Sequence, residues 1–363
     1  MNSLNIFLKN LDHNFYTIKS KLKNSTKLIG VVKANAYGSD SLIIAKRLES
    51  LGIDMIAVAY TSEGIYLKKN KINIPILVFY PQLESLKELY KYRLEPAIYS
   101  KLIFKKFNEL IEEKSCKKYP IHIKYNTGLN RIGFNSNETP WIIKSLNKSS
   151  LALKSVYSHL SMSEEKKPSK ISEKQINVFK NIIENYQNNK NIKPFFHLLN
   201  SSGIFNYPDL ELDAVRPGIS LYGYANNFHW DKKLLPISSL TTTIFQIHNI
   251  KKGDSVGYNK GWFAKRNSKI GVIPIGHADG IPRSFGMQKG WFTIKNKKAY
   301  IIGNVCMDII MIDITEINCK VGDKATLFGN NISAASIAES CNTISYELLS
   351  NISTRIPRNF IEN

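Results

Sequence analysis

Cysteine is scarce in this chain of 363 residues, and its placement excludes the usual cysteine frameworks. The four cysteines, Cys116, Cys306, Cys319 and Cys341, share no CxxC spacing, so neither a zinc site nor a disulfide network is expected. We expect buried, reduced thiols and no metal. Long apolar runs are missing too, since none reaches the roughly 18 residues that cross a bilayer. Residues 1–15 also lack the apolar core and cleavage site of a signal peptide, which predicts a cytoplasmic protein without membrane attachment.

Acidic residues are the minority charge: 29 Asp and Glu face 50 Lys and Arg, giving a formal net charge of +21. Such a charge can recruit nucleic acid or anionic membranes. Here the lysines are spread along the whole chain in short pairs such as Lys166-Lys167 and Lys251-Lys252. No zinc finger, RNP-like aromatic motif or P-loop accompanies them. We therefore interpret the charge as a solvated basic surface, with a nucleic-acid-binding protein as the non-enzyme alternative.

Short apolar segments alternate with amphipathic segments from the start of the chain to Gly223, which is typical of βα units on a parallel sheet. The candidate strands are Leu28–Val32, Met55–Tyr60, Ile76–Tyr80, Glu95–Ile98, Ile121–Tyr125, Leu153–His159, Phe195–Leu199 and Asp213–Arg216. The candidate helices between them include Leu42–Leu51, Leu86–Tyr92, Trp141–Leu146 and Ile176–Tyr186. Eight such strands close a (β/α)₈ barrel, so residues 1–225 are predicted to form a TIM-like barrel of the α/β class.

After Tyr224 the sequence becomes rich in strand-forming segments separated by turn residues. The candidate strands are Leu240–Ile250, Ile270–Ile275, Phe292–Ile294, Tyr300–Ile302, Ile309–Ile314 and Ala325–Phe328. One helix is predicted over Ala334–Ser340, followed by an ordered segment, Tyr346–Ile352. The sequence thus predicts a C-terminal, mostly-β domain over residues 226–363, linked to the barrel by residues 226–235.

Catalytic groups of such barrels lie at the carboxyl ends of the strands. Lys33 ends the first predicted strand, His159 ends the sixth, and Arg216 ends the eighth. An ammonium group at the end of an apolar strand is costly unless it is paired or neutralised. Its useful chemistry is that of a low-pKa amine that forms a Schiff base, although a single lysine can also rest its stem on the barrel rim.

The loops after the seventh and eighth strands are where barrels commonly bind phosphate. Ser201, Gly218 and Ile219 occupy these loops. The combination with Lys33 favours a phosphate-bearing cofactor close to this amine.

The segment Val31–Gly38, with the sequence VVKANAYG, carries a family resemblance. Further matching segments, in matching order and spacing, are residues 124–133, 215–219, 256–258, 276–280, 305–308 and 344–347. Through these segments the chain resembles the alanine racemase family over nearly its whole length. The resemblance implies a barrel followed by a β domain, pyridoxal 5'-phosphate as cofactor, and interconversion of L- and D-alanine for cell-wall peptidoglycan. It also implies a head-to-tail homodimer with shared active sites.

The resemblance implies a role for each matching residue. Lys33 would bind the cofactor covalently, and Arg216 would face its pyridine nitrogen. A guanidinium cannot accept a proton, so it would keep that nitrogen unprotonated and limit transamination. The other cofactor contacts would come from His159 beside the ring and, on the phosphate side, from Tyr37, Asn200, Ser201, Gly218, Ile219 and Tyr346.

Inversion of a stereocentre requires an acid/base on each face of the α carbon. By resemblance, Lys33 would serve one face and Tyr258 of the partner subunit the other. Tyrosine titrates near ~10, so Tyr258 would need positive charge or hydrogen-bond donors nearby, for which Arg131 and His159 are candidates.

Substrate contacts follow from the same resemblance. Arg131 would bind the substrate carboxylate together with the backbone of Met307 of the partner subunit. Lys124 occupies a position where the family can carry a carbamylated lysine. His277 stands where many members have a tyrosine lining the channel into the site, so substrate range and pH profile are open.

Two enzyme alternatives remain beside alanine racemisation. One is a racemase of the same fold that acts on serine or a basic amino acid. The other is a barrel-type decarboxylase using the same cofactor, in which an acidic residue faces the pyridine nitrogen. Arg216 disfavours the decarboxylase.

Overall fold

The structure is a computed structural model that describes residues 1–189, 191–225, 228–329 and 332–362. It consists of a closed barrel of eight parallel strands and a nine-stranded sheet, with a two-stranded ribbon beside the latter. Within the described ranges, no helix has both the length and the apolar character needed to span a membrane. The predicted eight-stranded barrel and the predicted mostly-β region are both present.

The barrel strands are β2 (Lys27–Val31), β3 (Met55–Val58), β4 (Ile76–Val78), β5 (Glu95–Ile98), β6 (Tyr119–Lys124), β7 (Leu151–Tyr157), β8 (Phe195–Asn200) and β9 (Ala214–Arg216). All eight overlap the predicted strands. The barrel closes where β2 pairs in parallel with β9, with Lys27 opposite Ala214. Side chains of β3 and β4 are buried throughout, as expected for a parallel sheet covered on both faces.

The helices of this region are α1 (Leu8–Lys19), α2 (Lys33–Tyr37), α3 (Ser41–Ser50), α4 (Thr61–Lys69), α5 (Leu86–Lys91), α6 (Lys101–Glu113), α7 (Thr139–Leu146), α8 (Lys170–Gln187), α9 (Ser201–Asn206) and α10 (Phe228–Asp231). Helix α6 shows why they form. The Ser100 hydroxyl caps its start by accepting from the Ile103 N–H at 3.3 Å. Ile103, Phe107 and Leu110 recur at helical spacing and are buried against the barrel. The four predicted crossover helices are found within a few residues of their expected bounds, except that α8 starts at Lys170.

The second sheet contains β1 (Ser3–Phe7), β10 (Ser238–Thr243), β11 (Gln246–Ile250), β14 (Ser268–Ile273), β15 (Trp291–Ile294), β16 (Lys297–Ile302), β17 (Ile310–Asp313), β18 (Lys324–Phe328) and β19 (Arg358–Ile361). Their order is β11-β14-β17-β16-β15-β18-β10-β1-β19. Strands β12 (Ser255–Val256) and β13 (Trp262–Phe263) form the ribbon, and helices α11 (Ala334–Ser340) and α12 (Ser345–Ser350) follow β18. The single strand predicted over Leu240–Ile250 is two strands, because the chain leaves β10 at Thr243 and pairs β11 with β14.

One strand from the range 1–225 lies outside the barrel. Strand β1 runs antiparallel to β10 and parallel to β19, inside the second sheet. The range 1–225 thus holds the barrel together with one strand of the other sheet. Of the expected link over residues 226–235, residues 226 and 227 lie outside the described part of the chain.

All four cysteines are free, as predicted from their spacing. Cys319 and Cys341 are buried, whereas Cys116 and Cys306 are only half-buried. The expectation of buried thiols therefore holds for two of them.

Candidate active site

Lys33 begins a strained turn at the carboxyl end of β2. The four residues after it, Ala34 to Tyr37, have φ between 51° and 53°, so α2 is a single left-handed turn. Each non-glycine residue in this conformation costs about 1–2 kcal/mol, and such strain persists only where surrounding contacts enforce it. Here the Ala34 N–H donates to Glu63 at 2.6 Å, and the Tyr37 ring packs on Tyr222 with 4.4 Å between centroids. The lysine is thereby presented on a rigid turn.

A cavity of about 670 Å³ opens at the carboxyl ends of the barrel strands. The nine predicted cofactor residues all line it: Lys33, Tyr37, His159, Asn200, Ser201, Arg216, Gly218, Ile219 and Tyr346. Arg131 and Lys124 line it as well. The volume lies in the range of pockets that hold small molecules and cofactors.

One end of this cavity is rich in hydroxyl groups and backbone N–H groups. The Ser201 hydroxyl accepts from the Gly218 N–H at 2.8 Å. A methyl group on Gly218 would lie 2.5 Å from the Tyr37 hydroxyl, so only glycine allows this approach. The Tyr346 ring lies 5.9 Å from that of Tyr37. The hydroxyl groups of Ser201, Tyr37 and Tyr346 form a compact set of donors suited to an anion such as phosphate, and the Gly218 N–H fixes the Ser201 hydroxyl among them.

Arg216 lines the same cavity and is only 4% exposed. Its Nη1 donates to His197 Nδ1 at 2.6 Å, and its Nη2 donates to the carbonyl oxygens of Ser158 and Leu198 at 2.7 and 2.9 Å. Burial lowers the pKa of Arg216 to about 10, with a further contribution from the Arg131 charge. The guanidinium remains a cation at neutral pH and has a fixed orientation.

Basic groups crowd the cavity and lower one another's proton affinity. Burial, and then the charge of Arg131, lower the pKa of Lys33 below its ordinary value. Burial followed by the charges of Arg216 and Arg131 lowers the pKa of Lys124 much further, and its amine donates to the Tyr125 carbonyl at 3.0 Å. Lysine amines in this state are neutral and nucleophilic at lower pH than a free lysine.

His159 is partly buried beside the Arg216 guanidinium, with Nδ1 3.5 Å from the Arg216 Nη2. Burial and the charge of Arg216 hold the pKa of His159 well below its usual range. It is therefore neutral at physiological pH. Arg131 and His159 were the candidates to supply Tyr258 with positive charge or a hydrogen-bond donor, and a neutral His159 could serve only as the donor.

Tyr258, His277 and Met307 do not line this cavity in a single chain. They lie in turns and loops that follow strands of the C-terminal region and are exposed, with Tyr258 at 70% and Met307 at 59%. Hydrogen bonds join the segments that carry them: the Asn304 side-chain amide donates to the Tyr258 carbonyl at 3.1 Å, and the His277 backbone N–H donates to the Cys306 carbonyl at 2.9 Å. Three of the predicted site residues thus form a second, separate and outward-facing group.

The structure adds residues that the sequence analysis did not single out. Phe79, Tyr80 and Tyr157 line the cavity, and His197 accepts a hydrogen bond from Arg216. The signal for His197 was a polar residue inside the otherwise apolar strand Phe195–Asn200, facing the barrel interior. Polar interruptions of buried strands mark groups that need a hydrogen-bond partner.

Comparison with known proteins covers nearly the entire chain. Residues 6–226 match the alanine racemase N-terminal domain, and residues 237–360 match the alanine racemase C-terminal domain. The alanine racemase of Thermodesulfovibrio yellowstonii is 35% identical, over 98% of this chain and 96% of that protein. That of Clostridium kluyveri is 37% identical, over 98% and 93%. The solved alanine racemase of Clostridium difficile 630 superposes with a TM-score of 0.92 at 33% identity, covering 100% of this chain and 96% of that one. By these matches, and by the barrel and sheet described above, this chain is a member of the alanine racemase family.

Proposed function

We propose that this chain is a pyridoxal-phosphate-dependent alanine racemase that interconverts L- and D-alanine and supplies D-alanine for peptidoglycan. One observation carries the proposal: in a member of this family, a low-pKa lysine, a set of anion donors and a buried arginine line a single cavity. Enzyme homologues of the family cover nearly the whole chain at 34–37% identity.

The residues of the cavity fit the proposed cofactor. Pyridoxal phosphate carries an aldehyde, an anionic phosphate and a pyridine nitrogen, and when bound it acidifies the α C–H bond of an amino acid. A neutral Lys33 amine suits the aldehyde. The hydroxyl groups of Tyr37, Ser201 and Tyr346 suit the phosphate, and Gly218 leaves room that a side chain would fill. Arg216 suits a nitrogen that must remain unprotonated, because it can only donate.

Lys33 is the proposed acid/base on one face of the substrate. Its lowered pKa brings the exchange of a proton by this amine to lower pH than for a free lysine. We assign it the α proton of the D enantiomer. Because the turn Ala34–Tyr37 is rigid, the amine stays aligned through a turnover.

Tyr258 of the partner subunit is the proposed acid/base on the opposite face. Its hydroxyl is exposed and remote from the cavity of its own chain, so it acts only if a second chain brings it there. Met307 belongs to the same exposed group and would approach together with it. A head-to-tail homodimer, with residues 226–363 of each chain completing the other's site, follows from this arrangement.

Arg131 is the proposed partner of the substrate carboxylate. It lines the cavity, and its planar guanidinium suits two parallel bonds to a carboxylate. Lys124 lines the same cavity, and burial followed by the charges of Arg216 and Arg131 lowers its pKa well below the usual value, which favours the neutral amine. A neutral amine is the form that reacts with carbon dioxide, so Lys124 is suited to carbamylation, which would place an anion beside Arg131.

A chiral assay over a panel of amino acids tests the activity. We expect racemisation of alanine, with serine and lysine turned over more slowly. Comparing wild type with His277→Tyr examines whether this position selects substrates by size. Release of carbon dioxide without racemisation would favour the decarboxylase alternative.

Mixed dimers test the shared site directly. Lys33→Ala and Tyr258→Phe chains are each expected to be inactive alone. Co-expressed, half of the dimers would be mixed and each would contain one intact site, which restores about a quarter of the wild-type sites. If both residues acted within one chain, mixing would restore no activity.

A further inference from the structure

Five neighbouring barrel strands each contribute one polar side chain to a buried row inside the barrel. The row begins at Arg216 on β9 and continues through His197 on β8, Ser155 on β7 and His122 on β6 to Glu95 on β5. The successive separations are 2.6 Å, 2.8 Å, 2.6 Å and 2.8 Å. His122, Ser155 and His197 have no exposed surface. The row therefore exchanges hydrogen bonds within itself, away from water.

The chemistry of Arg216 sets the direction of every bond in the row. A guanidinium only donates, so His197 Nδ1 must accept and carry no proton. The proton of a neutral His197 then sits on Nε2 and is donated to the Ser155 hydroxyl. Ser155 in turn donates to His122 Nδ1, which leaves the proton of a neutral His122 on Nε2, facing Glu95. All four bonds point from the cation to the carboxylate.

The row also explains how the buried charge of Arg216 is stabilised inside the barrel. Among the ion pairs formed by the described residues, Arg216 has none. A buried cation without a counter-charge is costly. Glu95 sits at the far end of the row, 2.8 Å from His122. Aligned hydrogen bonds in a low-dielectric interior polarise one another, so the carboxylate stabilises the guanidinium from a distance.

We propose that Glu95, His122 and Ser155 are positioning residues that act through His197 to fix Arg216 against the cofactor ring. The proposal rests on the proposed function for the cofactor itself, but the row can be tested without it. If the hydrogen bonds of the row no longer all point the same way, His197 can carry its proton on Nδ1. Two N–H donors, one on His197 and one on Arg216, would then face each other without an acceptor. Arg216 would then turn away, and the pyridine nitrogen would become free to take a proton.

The tautomers of His122 and His197 show the direction of the hydrogen bonds in the row and can be measured without any enzyme assay. We would label the full-length chain with ¹⁵N-histidine, without added cofactor, and assign His122 and His197 by single replacements with asparagine. Nitrogen NMR is expected to show both rings protonated on Nε2 only. Glu95→Leu removes the terminal acceptor and should change the His197 signal as well as that of His122, whereas Glu95→Gln, which keeps an acceptor oxygen, should restore the wild-type pattern.

A double replacement distinguishes an effect transmitted through the hydrogen bonds of the row from a general destabilisation of the barrel. Ser155→Ala interrupts the row between the two histidines. In that background, Glu95→Leu should no longer alter the His197 signal. Tyr186→Phe, which removes a buried hydroxyl bonded to Tyr125 at 3.0 Å outside the row, is the matched control and should leave both signals unchanged.

The loaded enzyme supplies a second readout. With pyridoxal phosphate bound, a freed pyridine nitrogen favours transamination, in which alanine becomes pyruvate and the cofactor takes up the amino group. We expect Glu95→Leu and Ser155→Ala to raise pyruvate formed per racemisation event by about tenfold, the scale of one unsatisfied buried polar group. Tyr186→Phe should leave the ratio unchanged.

The outcomes are distinct. A chain that binds no pyridoxal phosphate would refute the proposed function. The histidine signals, which are measured without cofactor, would still show whether the hydrogen bonds of the row are coupled. An unchanged His197 signal in Glu95→Leu, or an equal change in the Ser155→Ala background, would overturn the positioning role. An unchanged pyruvate ratio in both variants would overturn the link from the row to the cofactor.

Discussion

Arg358 donates two hydrogen bonds to the carbonyl oxygen of Gly38, from Nε at 3.2 Å and from Nη2 at 3.0 Å. The same guanidinium donates to the carbonyl oxygens of Ile352, Ser353 and Ile356. It thereby ties the last strand of the second sheet to the end of the turn that carries the lysine. Two distant parts of the chain depend on one side chain.

Replacing Arg358 with methionine should therefore weaken both the fold and the site. Several partly buried carbonyl oxygens would lose a charged donor, so we expect the free energy of unfolding to fall by about 2–3 kcal/mol. Denaturant unfolding of the purified chain measures this. Arg266→Met is the control, because Arg266 forms an exposed ion pair with Glu316, and it should unfold close to wild type. Equal losses in the two variants would contradict the role of Arg358.

Lys33→Ala should abolish both the yellow colour of the enzyme with bound cofactor and its racemase activity. The reason is that no other group of the turn can form a covalent bond to an aldehyde. Absorbance after addition of pyridoxal phosphate and dialysis is the measurement. Lys27→Ala, at the opposite end of the same strand, should keep the colour. A coloured Lys33→Ala chain would remove Lys33 from the proposed role.

Two neighbours of Lys33 should shift its titration in opposite directions. Arg131 lowers the pKa of Lys33, whereas the carboxylate of Glu63 raises it. Only the neutral amine captures the cofactor, so the capture rate falls as pH drops through this pKa. We expect Arg131→Leu to move that fall to higher pH and Glu63→Gln to move it to lower pH. Stopped-flow absorbance with the cofactor-free chain gives both profiles, and shifts of the same sign would refute this electrostatic account.

Gly218→Ala should weaken cofactor binding. The added methyl group would lie 2.5 Å from the Tyr37 hydroxyl and displace it from the anion donors. We expect the Kd for pyridoxal phosphate to rise by about tenfold, corresponding to roughly one lost hydrogen bond to a charged group. Gly64→Ala, a change on α4 outside the cavity, would place a methyl group 2.9 Å from the Leu94 side chain and serves as the control. An unchanged Kd in Gly218→Ala would show that this close approach is dispensable.

The barrel was readable from the sequence because its strands are continuous apolar segments at regular spacing. Strand β19 was not predicted: its residues, Arg358 to Ile361, are mostly exposed and carry no alternation. Strand β1 does alternate, but its partners lie more than two hundred residues away along the chain. Short strands of this kind are stabilised by pairing and not by their own composition.

The cavity could be predicted because barrels place the ends of their strands together, which brought Lys33, Arg216 and Ser201 into one group. The row from Arg216 to Glu95 could not be, since its members lie in five different strands that are far apart in sequence. Only the register of the closed barrel makes them neighbours; for example, His122 lies directly opposite Ser155. The neutral state of His159 likewise depends on burial among cations, which sequence position does not reveal.

The position of β1 between β10 and β19 has a consequence for biosynthesis. Residues 3–7 leave the ribosome early, but their two neighbours in the sheet, residues 238–243 and 358–361, are made much later. Until then β1 exposes two unpaired edges, which are open to pairing with other chains. The barrel can form before these partner strands are synthesised. Strand β1 then stays unpaired, and prone to pairing with other chains, for most of translation.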